Sequence, residues 1–253
     1  MTRPATALTG MRRPEVHGSN SDRRAILAPL ACLVALVLAL TACSSGGEKE
    51  KKATPEQTMA TAKKLLDETS GVKVTLSSTD LPASVNGVAG AEGGGNSSPA
   101  FKGSIAVVLN GQSFDVPVVA LDGKVWAQIP LTTGWSDIDP ADYSAPDPAG
   151  LLSTDAGFSS LLTATKGLTE GDSERGGSDN SEILTSYTGT LDEATMSTII
   201  PTSTGDFDAH YTVADNGQVR QMTFTGVFYP DTDPMTYQVD FETYGVATDI
   251  TAP

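Results

Sequence analysis

Residues 101–129 read FKGSIAVVLNGQSFDVPVVALDGKVWAQI, and this stretch decides the fold class. Apolar residues alternate with polar or small ones on both sides of Asn110-Gly111 and Asp122-Gly123, and a period of two residues indicates strands. Asn-Gly or Asp-Gly between such runs favours a type I′ turn, which needs positive φ. The stretch therefore predicts an antiparallel meander of three strands: Phe101–Leu109, Phe114–Leu121 and Lys124–Ile129.

A second region of strands lies towards the C-terminus. Asn216-Gly217 gives the same type I′ hairpin signal between Phe207–Ala214 and Gln218–Tyr229, and Met235–Tyr244 continues the alternation. Ser181–Gly189 supplies a further strand. The connections between these strands are too short for crossovers, so we expect an antiparallel sheet.

Short helices are predicted between the strands. Thr54-Pro55-Glu56-Gln57 has a Thr N-cap, Pro at the first helical position and Gln at N3, so a helix is expected from here to Ser70-Gly71. Val72–Leu76 then alternates like a strand. Asp147-Pro148 is expected to cap a helix that carries Leu151 and Leu152, and a second turn is expected from Asp155 to Leu162.

Thr190-x-x-Glu193 has the spacing of another capping box, and the helix that it opens is expected to end at Pro201. The glycine-rich run Ala83–Pro99 has almost no large apolar side chains, so we expect a mobile loop there. Strands separated by short amphipathic helices predict an α+β fold in which helices cover one face of a bent sheet.

The N-terminal segment has the features of an export signal. Arg23 and Arg24 precede the apolar run Ala25–Leu40, and Leu40-Thr41-Ala42 leads into Cys43. This sequence resembles the lipobox of bacterial lipoproteins, in which the Cys becomes acylated. We therefore expect a signal peptide at 1–42, an acylated Cys43 with a flexible tether at 43–53, and a single domain at 54–253.

Charge and composition exclude several classes of function. The chain has 253 residues with 16 basic and 31 acidic side chains, and removing 1–42 leaves 11 basic and 29 acidic residues, a net charge of −18. Such a chain lacks the clustered cations that nucleic acid needs. There are only two histidines, and His17 lies in the predicted signal peptide. His210 is expected on the polar, solvated side of its strand.

No motif for catalysis or metal binding is evident. A G-x-S-x-G elbow is absent, and Asp137, Asp139 and Asp142 lack the Gly and the further ligand of a calcium loop. The abundant acidic residues leave open a carboxylate pair for glycan hydrolysis, although no particular pair is indicated. We expect no catalytic residue, no metal, no cofactor and no enzymatic activity.

Apolar side chains form stripes on the predicted strands. Examples are Ile105 and Val107 on one strand and Met222 and Phe224 on another. Taken alone, the pattern favours a sheet whose concave face is filled by helices over one that leaves a gap for an apolar ligand.

Several short motifs are spread along the mature chain. They are GWSDI at 134–138, YSAPDP at 143–148, leucine pairs at 151–152 and 161–162, YGV at 244–246 and ITAP at 250–253. Together with the lipobox and the first helix, they resemble the actinobacterial LppX/LprA/LprF/LprG lipoproteins over nearly the whole mature chain.

The resemblance implies a curved antiparallel half-barrel with helices packed on its concave face, enclosing a large apolar cavity. It further implies that the protein binds acylated lipids such as triacylglycerol or lipoglycan and transfers them across the cell envelope. The expected location is the outer, periplasm-side face of the plasma membrane, anchored through Cys43, with an envelope efflux transporter as a further partner. Ala83–Pro99 and the polar segment Thr169–Ser181 depart from the family pattern and are expected to border the cavity mouth.

Residues expected to line the cavity are chosen by alternation. They are Ile105, Val107, Val116, Val118, Trp126, Leu161, Leu162, Met222, Phe224 and Phe241. The alternative is an interaction or scaffold lipoprotein with a filled core that serves an envelope transporter or the cell-wall machinery. A glycan hydrolase is a third hypothesis.

Overall fold

The computed structural model describes residues 52–253, apart from residues 79, 83, 144 and 178. The predicted signal peptide, Cys43 and most of the tether lie outside the described residues. Eleven strands are found within them: β1 (Val72–Ser77), β2 (Gly87–Asn96), β3 (Ala100–Leu109), β4 (Gln112–Leu121), β5 (Lys124–Ala127), β6 (Ser136–Ile138), β7 (Lys166–Gly176), β8 (Glu182–Leu191), β9 (Thr204–Ala214), β10 (Val219–Val227) and β11 (Met235–Tyr244).

All eleven strands belong to one antiparallel sheet in the order β6-β5-β4-β3-β2-β1-β11-β10-β9-β8-β7. Two meanders, β2 to β6 and β7 to β11, are thus joined by β1, which pairs with β2 on one side and with β11 on the other. Because β6 and β7 are not paired with each other, the sheet is an open half-barrel. This confirms the predicted fold class.

The two N-terminal hairpins have the predicted turn geometry. Asn110 and Gly111 have φ of 51° and 74°, and Asp122 and Gly123 have φ of 54° and 72°, as type I′ turns require. The third hairpin has a different turn, because only Gly217 has positive φ there.

In that third hairpin the Gly217 N–H donates to the Ala214 carbonyl at 2.8 Å, and the Ala214 N–H donates to the Gln218 carbonyl at 2.9 Å. This arrangement is a type I turn followed by a glycine bulge, the usual form of a three-residue hairpin loop. The predicted type I′ turn is therefore wrong at this position, although the hairpin itself is present.

The expectation of a mobile loop over Ala83–Pro99 is wrong, since β2 occupies most of this segment in the middle of the sheet. Its glycines allow close packing. A Cβ on Gly93 would lie 2.6 Å from the Lys102 carbonyl oxygen and 2.7 Å from the Phe101 ring. The run lacks large side chains because a neighbouring strand's ring fills the space where they would be.

The segment Thr169–Ser181 also differs from expectation. Most of it belongs to β7, a largely exposed edge strand paired only with β8. This segment was expected to border the cavity mouth, but no residue of β7 lines the cavity described below. An edge strand with two exposed faces has no apolar alternation, and this explains why its sequence looks like a polar loop.

Three helices are described: α1 (Pro55–Asp67), α2 (Phe158–Ala164) and α3 (Glu193–Met196). The capping box of α1 is confirmed, because the Gln57 N–H donates to Thr54 Oγ1 at 3.3 Å and the Thr54 N–H donates to Gln57 Oε1 at 2.9 Å. α1 ends slightly earlier than expected, with Glu68 as its C-cap.

The other two helices differ from their predicted beginnings. α3 is capped by Asp192, whose Oδ1 accepts from the Thr195 N–H at 2.9 Å, whereas Thr190 belongs to β8. The predicted Thr190 cap is therefore wrong, because strand pairing continues through that residue. Leu151 and Leu152 belong to a short 3₁₀ turn after Asp147, and α2 begins at Phe158 rather than at Asp155.

The helices pack on the concave face of the sheet. Leu161 and Leu162 of α2 are fully buried, and Phe158 makes an edge-to-face contact with Phe241 of β11, the ring centroids being 6.4 Å apart. At the end of α2, Thr165 Oγ1 and the Tyr211 hydroxyl of β9 are hydrogen-bonded at 2.5 Å. Packing of α2 therefore fills one part of the concave face with side chains.

Candidate functional site

An apolar cavity of about 460 Å³ lies between the other part of the concave face and the helices. Inward-facing side chains of β1 to β5, β10 and β11 form one wall. The segment from Pro140 to Leu152, together with α2 and α3, forms the other wall. Characteristic lining residues are Leu76, Ala91, Ile105, Val107, Val116, Leu152, Leu161, Met196, Ile199 and Val239. The volume lies in the lower half of the range usual for small-molecule sites, about 300–1,000 Å³.

The structure brings six of the ten predicted lining residues together around this cavity. They are Ile105, Val107, Val116, Val118, Leu161 and Phe224. Their contact with a ligand stays a prediction. Ile105, Val107 and Val116 share one face of the sheet, because the β3–β4 hairpin keeps Ile105 opposite Val116 and Val107 opposite Phe114.

The remaining four predicted residues do not line the cavity. Trp126 lies between two lining residues, Val125 and Ala127, so its side chain belongs to the opposite face of β5. Leu162, Met222 and Phe241 do lie in the interior, but they are almost completely buried among other side chains. Alternation identifies the inner face of a strand, and it does not show which inner positions are covered by helices.

Several lining residues were missed by the sequence reasoning. Val88 and Ala91 belong to β2, which was predicted to be a loop, and Tyr143 belongs to a 3₁₀ turn at Pro140–Tyr143. Tyr229 and Tyr237 also line the cavity. Tyr237 continues the inward alternation of β11 with Val239, which was a signal that could have identified it.

Two tyrosines form the main polar feature of the cavity wall. The Tyr237 hydroxyl donates to the Val88 carbonyl at 2.5 Å, the Val88 N–H donates to the Tyr229 hydroxyl at 3.1 Å, and the two hydroxyls are 2.9 Å apart. Tyr237 donates to Val88, so Tyr229 donates to Tyr237 and the ring of bonds is complete. Burial raises the pKa of Tyr237, and the neighbouring Tyr229 adds to this shift. Both hydroxyls thus take part in hydrogen bonds that hold β2 against β11 and against the segment that follows β10.

The lining offers little for acid–base or metal chemistry. Asp142 is its only charged residue, and no Lys, Arg or His belongs to it. In the part of the chain that the structure describes, no group of three His, Cys, Asp or Glu side chains is close enough to hold a metal ion. His210 is half-buried on β9 and does not line the cavity. The site is therefore suited to binding apolar matter by exclusion of water.

Comparison with known proteins gives the family. The family model described as LppX_LprAFG lipoprotein matches residues 54–252, nearly the whole described chain. The chain belongs to the LppX/LprAFG lipoprotein family. A lipoprotein is held at a membrane of the cell envelope by its lipid, and none of the described helices of this family member is long and apolar enough to cross a bilayer.

Two solved structures of mycobacterial lipoproteins have a similar fold. LprF from Mycobacterium bovis aligns with a TM-score of 0.63 and 15% identity, over 79% of this chain and 96% of that one. LppX from Mycobacterium tuberculosis aligns with a TM-score of 0.57 and 14% identity, over 78% of this chain and 98% of that one. A comparison with curated proteins found no match. The structural likeness confirms the half-barrel architecture of this LppX/LprAFG protein.

Proposed function

We propose that this lipoprotein binds an acylated lipid in the apolar cavity and transfers it across the cell envelope, without making or breaking a covalent bond. The observation that carries the proposal is the apolar cavity of about 460 Å³ on the concave face. A filled core, as the scaffold hypothesis requires, would have no such volume. The lining has no Lys, Arg or His and only one carboxylate, that of Asp142, which favours binding over hydrolysis.

The volume suggests how much of a lipid is enclosed. A methylene group needs about as much space as a water molecule, whose share of liquid volume is about 30 Å³. The cavity of about 460 Å³ therefore encloses about fifteen methylenes, or one acyl chain of ordinary length. The headgroup and any further chains of a triacylglycerol or lipoglycan extend beyond the mouth.

The energetics support carriage through water. Burying a methylene contributes about 0.8 kcal/mol, so a chain that fills the cavity is held strongly enough to cross an aqueous layer. The protein itself stays at the outer face of the plasma membrane through acylation of Cys43. Membrane anchoring is stable when this residue carries more than one acyl chain. We propose that an envelope transporter delivers or accepts the lipid.

The test uses a fragment of residues 52–253. This fragment includes the described core, and the described residues form one compact unit, so it is expected to fold alone. Native mass spectrometry of the purified fragment is expected to show co-purified acyl lipid, or uptake after delipidation and incubation with a diacylated or triacylated lipid. A fragment that carries no lipid in either experiment would favour the scaffold hypothesis.

A matched pair of variants locates the binding. Val107 lines the cavity, whereas Val108 is the next residue of β3 and belongs to the opposite face of the sheet. Val107→Asp places a charge against the acyl chain and is expected to abolish lipid retention, because an unpaired charge beside apolar matter is strongly unfavourable. Val108→Asp is expected to retain lipid. Equal retention by both variants would refute the location of the site.

A further inference from the structure

Some of the exposed apolar side chains line or adjoin the cavity. The large apolar residues that are exposed in the described part of the chain are Leu109, Leu131, Trp135, Tyr143 and Val246. Leu109 and Tyr143 themselves line the cavity, and Leu131 directly follows the lining residues Ile129 and Pro130. Leu109, Leu131 and Tyr143 together are called the apolar rim below. Trp135 belongs to the same β5–β6 loop as Leu131.

Leu131 is the outstanding member of the apolar rim. Its relative exposure is 105%, so its side chain makes almost no contact with the rest of the protein. It also has φ of +70°, although it is not a glycine. Ile129-Pro130-Leu131-Thr132 forms a type II turn, because the Thr132 N–H donates to the Ile129 carbonyl at 3.1 Å and φ is positive at the third residue.

The third position of a type II turn is normally Gly or Asn. Leucine there is unfavourable for the backbone, and in this fold its side chain has no packing role that would offset the cost. An apolar side chain exposed at the tip of a hydrogen-bonded turn is instead suited to entering an apolar medium outside the protein.

We propose that the apolar rim docks on the surface of a lipid bilayer and places the cavity mouth at the acyl-chain region. The inference rests on the proposed function, since a lipid with one chain in the cavity has its other chains at this mouth. Eight residues lie between Cys43 and Lys52. The nine steps along the chain span at most about 30 Å, so the anchored domain stays within reach of the bilayer.

The chemistry of the rim favours a bilayer over a charged partner. Tyrosine and tryptophan are common at the boundary between headgroups and acyl chains, because one end of each ring is polar. No Lys or Arg lines the cavity, and the mature chain has a net charge of −18 after removal of residues 1–42. Docking on zwitterionic membranes is therefore apolar and insensitive to salt. Docking on anionic membranes is weaker because of charge repulsion, which added salt reduces.

The test measures co-sedimentation of the 52–253 fragment with phosphatidylcholine vesicles. Leu131→Asn keeps a residue that tolerates positive φ and is expected to fold with equal or higher thermal stability while partitioning about tenfold more weakly. Val246→Asn is the matched control, because Val246 is exposed but lies in the C-terminal segment, and its partitioning is expected to stay within about twofold of wild type. Tyr143→Ser is a second rim variant and is also expected to weaken binding.

Two outcomes would overturn the proposal. One is a wild-type fragment that does not bind the vesicles, which would indicate that the rim contacts a protein instead. The other is unchanged partitioning of both Leu131→Asn and Tyr143→Ser. Uptake of a monomeric fluorescent fatty acid is measured in parallel and is expected to be unchanged in Leu131→Asn. Failure of the wild type in this second assay would count against the proposed function rather than against the rim.

Discussion

The dependence of affinity on acyl-chain length tests the cavity quantitatively. Burial contributes about 0.8 kcal/mol per methylene, and ordering of the chain offsets part of it, so affinity is expected to rise about two- to fourfold per methylene. A cavity of about 460 Å³ is full at about fifteen methylenes, each requiring about 30 Å³. The rise is therefore expected to level off for chains of about sixteen carbons.

The assay is displacement of a fluorescent acyl probe from the 52–253 fragment by saturated fatty acids of eight to twenty carbons, each below its micelle concentration. Ala91→Leu adds three carbons to the cavity wall, since Ala91 is a lining residue of β2. The levelling-off is expected about three methylenes earlier in this variant. Ala106→Leu is the control, because Ala106 of β3 is not a lining residue.

The reasoning would be refuted by affinities that do not depend on acyl-chain length, because an apolar cavity must favour longer chains until it is full. It would also be refuted by a levelling-off at the same length in Ala91→Leu and in the wild type. In that case the acyl chain would bind elsewhere on the protein.

Tyr237→Phe removes the hydroxyl that bonds the Val88 carbonyl, and urea denaturation is expected to show a loss of about 1–3 kcal/mol in the free energy of unfolding. A loss below about 0.5 kcal/mol would contradict the ring of hydrogen bonds. The hydrogen bond from Lys166 lowers the pKa of Asp192. The ionised carboxylate therefore stabilises the fold above its ordinary pKa, about 3.9, and this stabilisation is lost as the pH falls below that value. Asp192→Asn is therefore expected to lose less stability than the wild type between about pH 5 and pH 2, and parallel curves would argue against this contact. Gly93→Ala places a Cβ 2.6 Å from a carbonyl oxygen of β3 and is expected to lower the free energy of unfolding by about 1–3 kcal/mol, whereas an unchanged urea midpoint would disagree with the central position of β2.

Features governed by a few neighbouring residues could be read from the sequence. Asn110-Gly111 and Asp122-Gly123 determine their turns through the φ values that these residue types adopt, and Thr54 with Gln57 determines the beginning of α1. Strands with one buried face could be recognised in the same way, because their alternation lies within their own residues. β11 is an example, with buried and partly exposed residues alternating from Met235 to Phe241.

The mistakes concern segments whose structure depends on distant residues. β2 is a strand because β1 and β3 pair with it and the Phe101 ring covers its glycines, and nothing in Ala83–Pro99 shows this. β7 is held by β8 at the edge of the sheet and has no apolar face of its own. Thr190 has the spacing of a cap, but strand pairing extends through it and Asp192 takes that role.

The antiparallel sheet and most inner faces of its strands could thus be predicted from the amino-acid sequence, since turn chemistry and alternation act over a few residues. The family and the half-barrel were implied by the resemblance of short motifs along the chain. Only the tertiary structure decided which inner side chains border open space. Phe241 and Val107 are both inner-face residues, yet Phe241 packs against Phe158 of α2 whereas Val107 faces the cavity. The physical reason is that a cavity is the volume left where three short helices fail to cover a long curved sheet, and their placement depends on contacts between residues far apart in the chain.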